Sequence, residues 1–182
     1  LYPLGIGLSF VQTTAAAQKA VRERAEGGMD AIKITVESGP TPFGDDHPQM
    51  SVEMIRAIVS EARRYNLPVL AHVSSRDELA ASLEGGASAT VHAARNLPLP
   101  DTALADAMAA AGLFVAPTLS LYAPPLDLED PFLQETVTAR EVAALTRPEF
   151  FERVRERWEC CAPFPDLLAN IGMLHARGVR IV

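Results

Sequence analysis

The sequence predicts an α/β fold built on a parallel sheet, and three observations lead there. Helix-like and strand-like segments alternate from residue 14 onward. The strand-like segments are short, and several are β-branched with apolar residues on one face. Glycines close most of the helix-like segments before the next strand begins. Strands that alternate with helices imply parallel strands with helices packed against them.

The elements follow in order. Residues 14–26 place Ala17, Ala20, Val21 and Ala25 on one helical face and stop at Gly27-Gly28. Residues 31–36, Ala-Ile-Lys-Ile-Thr-Val, are a β-branched run and read as a strand. Residues 37–50 are rich in Gly, Pro and Asp and read as a long loop. Ser51 caps a helix to about Asn66, with Val52, Ile55, Ile58, Val59 and Ala62 on its apolar face. A second strand covers 68–73. Ser75 and Glu78 have capping-box spacing for a helix to Leu83 that ends before Gly85-Gly86. Residues 89–92 are a third strand. Asp101 opens a helix with Leu104, Met108 and Ala111 on one side, and Gly112 closes it. Residues 113–118 are a fourth strand. The rhythm then breaks over 119–148, which holds several prolines and a short polar helix near 135–145. Helices over 149–161 and 164–177 follow, and 179–182 begins a fifth strand.

A complete (β/α)8 barrel needs about 200 residues or more, and the chain has 182. The expected architecture is therefore a partial (β/α)8 barrel, one piece of a single domain of a longer protein. The alternative is a small, doubly wound five-stranded sheet. An open part-barrel leaves its two outer strands without neighbours, so the piece by itself is expected to associate.

Composition narrows the function. Hydrophobic residues make up 48% and the mean hydropathy is +0.10, which excludes a disordered polymer. No apolar run reaches the ~18 residues of a membrane span. A net charge of −7 disfavours a nucleic-acid partner. Cys160 and Cys161 are adjacent and have no zinc spacing, so they read as small hydrophobes. The start does not read as a signal peptide. Compartment is left open, with the cytoplasm favoured.

Side chains alternate across a strand. Ile32, Ile34 and Val36 suit the helix side of the first strand and leave Lys33 on the other. Val69, Ala71 and Val73 do the same for His72, and Val91 opposes Thr90 and His92. Lys33, His72 and His92 are thus expected inside, the histidines at the carboxyl ends of their strands, where barrel active sites lie. Neutral imidazoles are common zinc ligands. A lysine beside them would repel a cation unless CO2 carbamylated it to an anionic oxygen ligand. The plainer reading makes each histidine a hydrogen-bonded core residue and lets Lys33 snorkel to the rim. His47 in the long loop, Arg95 after the third strand and Tyr122 after the fourth are candidates for substrate contact. Arg95 would suit a carboxylate. Glu37 is a partner for these groups or a rim charge.

The strings Ala31-Ile32-Lys33-Ile34, Ala71-His72, Val91-His92 and Pro117-Thr118-Leu119 together resemble the amidohydrolase superfamily, in particular its imidazolonepropionase-like and prolidase-like members. The resemblance implies strands four to eight of the barrel, with Lys33, His72 and His92 as ligands of one or two divalent ions, zinc first. It implies hydrolysis of an amide-like or cyclic C–N bond of a small molecule by metal-activated water. Cyclic amides, dipeptides with proline and small lactones suit such a site, and a homo-oligomer is compatible with it. The family's His-x-His pair on strand one is not in this sequence, and its aspartate after strand eight would fall beyond Val182. The 182 residues alone are expected to hold part of a metal site and to be inactive by themselves. The rival expectation is a metal-free α/β small-molecule binding domain or an inactive fragment.

Overall fold

A computed structural model describes residues 9–41, 44–92, 94, 101–119 and 164–182, with side-chain detail outside 39–47 and Phe164. The helices predicted over 135–145 and 149–161 lie outside the described residues, as do Arg95, Tyr122, Trp158, Cys160 and Cys161.

Helix α1 (Thr14–Glu26) precedes strand β1 (Ile32–Thr35). Two short strands, β2 (Gly39–Thr41) and β3 (Gly44–His47), follow. Helix α2 (Val52–Arg63), strand β4 (Val69–His72), helix α3 (Arg76–Gly85) and strand β5 (Ala89–Val91) continue the alternation. Helix α4 (Thr102–Ala111), strand β6 (Phe114–Ala116), helix α5 (Phe164–Ala176) and strand β7 (Arg180–Ile181) complete it. The stretch read from sequence as a plain loop is thus partly a small antiparallel hairpin, β2 with β3. Alternating apolarity does not mark it, because its residues are Gly, Pro and Asp.

All five predicted strands join one parallel sheet in the order β1-β4-β5-β6-β7. That order runs monotonically with the chain. A doubly wound sheet must reverse its order at a switch point, and the described strands show no reversal. Right-handed crossovers wound one way put every helix on the same face. The arrangement is consistent with an arc of a (β/α)8 barrel.

The core lies between this face and the helices. Ile32, Ile34, Val36, Val69, Ala71 and Val73 are buried against Val21 of α1, Ile55 and Val59 of α2 and Leu79 of α3. Met108 of α4 and Leu174 of α5 belong to the same cluster as Val115 of β6. The other face of β1 is exposed, as the alternation of buried Ile32 and Ile34 with exposed Lys33 and Thr35 shows. Arginine ion pairs cross the seams between neighbouring helices: Arg22 to Glu61 at 3.3 Å, Arg56 to Glu84 at 2.8 Å, Arg76 to Asp101, and Arg177 to Asp106 at 3.1 Å. Exposed pairs of this kind stabilise little; Glu61 is the buried partner among them. No helix among the described residues is long and apolar enough to cross a membrane.

Candidate metal centre at the carboxyl edge of the sheet

Register fixes which side chains share a face. In β1 and β4, Lys33 is level with Leu70 and Thr35 with His72. Lys33 and His72 therefore lie on one face, the one away from the helices. Lys33 is set back from the level of His72 by two residues, about 6–7 Å of strand. In β4 and β5, Ala71 is level with Thr90 and His72 with Val91. So Val91, not Thr90, shares the face of His72. Thr90 is fully buried on the helix side.

Plain alternation would then turn His92 toward the helices. The backbone intervenes. His92 follows the last residue of β5 and has φ +77°, a left-handed conformation uncommon outside glycine. Its N–H still donates to the Ala116 carbonyl at 2.8 Å, so the ladder continues while the chain changes direction. The ring meets that of His72 edge to face, with centroids 4.3 Å apart. Its Nδ1 lies 2.6 Å from Thr118 Oγ1, and Thr118 has φ +48°. Only three non-glycine residues among those described have positive φ, and two of them hold this corner. Strained backbone of this kind concentrates at functional sites. The rim of His92 also borders a small cavity with Leu79, Thr90, Val115, Asn170 and Leu174.

His72 has a second partner. Glu37, two residues past the end of β1 and only 8% exposed, places Oε2 at 2.9 Å from His72 Nε2. Against an ionised carboxylate Nε2 is the donor, and a neutral ring then offers its lone pair at Nδ1. A carboxylate behind an imidazole is the usual way to orient a metal-binding ring.

The residue after Glu37 is anchored in turn by Glu78. Ser38 donates to Glu78 Oε1 through its N–H at 3.0 Å and its hydroxyl at 3.2 Å. Ser74 donates to Oε2 through its N–H at 2.6 Å and its hydroxyl at 3.2 Å, and Ser75 N–H does so at 3.0 Å. The capping box predicted from Ser75 and Glu78 is present. Sequence reasoning missed the remaining arms of Glu78. The signal was there in three serines that follow two strand ends.

The donor chemistry suits a divalent cation. Two imidazoles from neighbouring strand ends, one backed by a carboxylate, are donors of the kind that such a cation accepts. Among the described residues no group of three or more His, Cys, Asp and Glu side chains is arranged to hold an ion. His47 ends β3, with its side chain outside the described detail. Arg95 and Tyr122 lie outside the described residues.

A parallel, singly wound α/β sheet with its imidazoles at the carboxyl edge defines the class of protein. Comparison names the family. A model of the amidohydrolase family matches residues 2–149, and the chain belongs to that family. No curated protein matches it. Among solved structures, it is similar to a Xaa-Pro dipeptidase with methionine bound in the active site, at 24% identity and a TM-score of 0.66 over 94% of this chain and 38% of that one. It is similar to an amidohydrolase at 27% identity and a TM-score of 0.63, over 93% of this chain and 36% of that one. A prolidase complexed with N-methylphosphonate-L-proline gives 27% identity and a TM-score of 0.57, over 94% and 37%. The chain spans less than two fifths of the length of these three structures.

Proposed function

We propose that the chain is part of one metal-dependent hydrolase barrel, covering its strands four to eight, and that the whole protein cleaves C–N bonds of small amide substrates. The observation that carries this reading is the contact of the His72 and His92 rings at 4.3 Å. Membership of the amidohydrolase family supports it. In this reading His72 and His92 are ligands of a divalent ion, zinc first, and Lys33, as its carbamate, is a third. The further ligands and the proton-carrying aspartate come from outside these 182 residues. A bound ion supplies an acidified water and polarises the scissile carbonyl.

The chain's own residues orient and support. Glu37 would hold the proton on His72 Nε2, which would leave Nδ1 as the ring atom available to an ion. Thr118 fixes the plane of the His92 ring. His47, Arg95 and Tyr122 contact substrate, Arg95 through a carboxylate of the kind that a dipeptide carries. The likeness to a prolidase with a proline phosphonate supports an Xaa-Pro dipeptide among the candidate substrates.

The test is metal analysis of the full-length protein together with His72→Ala. Purified protein is expected to carry divalent metal, and the variant to lose metal and hydrolytic activity together. Metal-free protein with unchanged activity in the variant would refute the reading, and protein with neither metal nor activity would favour a metal-free binding domain.

A further inference from the structure

We infer that Glu78 is a positioning residue for the metal centre, acting through Glu37. This rests on the reading of His72 as a ligand. A capping-box glutamate needs only the N–H of its cap residue, and an exposed side chain serves. Glu78 is 1% exposed and takes five hydrogen bonds. Two of them come from Ser38, forty residues away in sequence. A buried carboxylate is costly unless it is fully bonded, so this one is held as a clamp rather than as a surface cap.

The clamp has two jaws. Ser38 is the residue after Glu37. Ser74 is two residues after His72, and Val73 between them is fixed by its N–H to the Val91 carbonyl at 3.2 Å. One carboxylate thus grips both segments whose side chains form the 2.9 Å Glu37–His72 contact. Release of the Ser38 jaw removes one anchor beside Glu37, while the Val36 N–H still donates to the His72 carbonyl at 3.1 Å, and the His72 ring is expected to lose part of the hold of its orienting partner. Loss of such a partner lowers metal affinity by about 10- to 100-fold.

A zinc titration of the metal-stripped full-length protein, in competition with a chromophoric chelator, tests this. The proteins are wild type, Glu37→Ala, Glu78→Gln and the double variant, each with its melting temperature measured without metal. Both single variants are expected to bind zinc about 10-fold or more weaker, and the double variant no weaker than Glu37→Ala. A purely structural Glu78 would lower the melting temperature and leave zinc affinity unchanged. That result overturns the inference, as do losses that multiply in the double variant. If Glu78→Gln does not fold, Ser38→Pro decides, because it removes both the N–H and the hydroxyl that donate to Glu78 Oε1: weaker zinc binding supports the inference and wild-type affinity overturns it. Wild-type protein that takes up no zinc overturns the metal-centre reading and the inference with it. This outcome is distinct from equal binding by wild type and variants.

Discussion

Adjacent residues of one kind can do unrelated work, and Gly85-Gly86 shows it. Gly86 has φ +82° and closes α3 in the left-handed conformation that a helix end favours. Gly85 is still helical. A methyl group there would lie 2.6 Å from Ile55 Cβ, in the middle of the α2–α3 contact. Ile55 is fully buried and has nowhere to retreat. Gly85→Ala is therefore expected to destabilise by overpacking, by about 1–3 kcal/mol. Gly86→Ala is expected to cost about 1–2 kcal/mol, mainly through backbone strain, since the nearest atom, Arg63 Nη2 at 3.3 Å, ends a flexible side chain. Chemical denaturation of each variant checks this. A neutral Gly85→Ala would mean that α2 and α3 are not packed so closely. His72 and His92 belong to the same scale. Residue type and strand ends made both of them legible as candidates, but the face of His92 was not legible. Its neighbour Val91 pairs with His72, and only the positive φ at His92 brings the two rings together.

At the level of elements, caps were the most readable feature. Ser51 accepts the Met54 N–H at 3.2 Å and Asp101 the Leu104 N–H at 3.1 Å, both where spacing placed them. Asp101 does more than its position predicts, because its other oxygen binds Arg76 of the preceding helix. That hydrogen bond, with the charge of Asp101, raises the pKa of the Arg76 guanidinium above its ordinary value. Asp101→Ala is expected to cost about 1 kcal/mol for the lost cap, or roughly 2–4 °C in melting temperature for a chain of this size. Asp101→Asn keeps the cap and is expected to melt close to wild type, since Arg76 is only half-buried and its charge stays in reach of water. A variant in which Asn behaves like Ala would show that the ion pair, not the cap, holds α3 to α4. The β2–β3 hairpin was the element that sequence reasoning did not find. Its pairing is backbone to backbone over Gly-, Pro- and Asp-rich residues, and such pairing leaves no hydrophobic period to read.

Over the whole molecule, the sheet ends in β1 on one side and β7 on the other. Among the described residues, no strand pairs with either outer edge. Unpaired edges are templates for further pairing. The 182-residue chain expressed by itself is expected to self-associate, with a sedimentation coefficient that rises with protein concentration. A monomer at all concentrations with one sharp unfolding transition would show that both edges are covered. Completion of the sheet by the rest of a barrel is expected to abolish the association.

The alternation of elements, the helix caps, the apolar faces and the presence of two strand-end histidines follow from local rules. Each depends on residues within a few positions of one another, and such spacings are written directly in the chain. Tertiary structure alone decided the monotonic strand order, the face of Val91, the turn of His92 and the grip of Glu78 on two loops. Those depend on register and on contacts between residues 35 to 40 positions apart in the chain, such as Glu37 with His72 and Ser38 with Glu78. No local period encodes them, because their energy arises only once neighbouring strands have paired and brought their ends together.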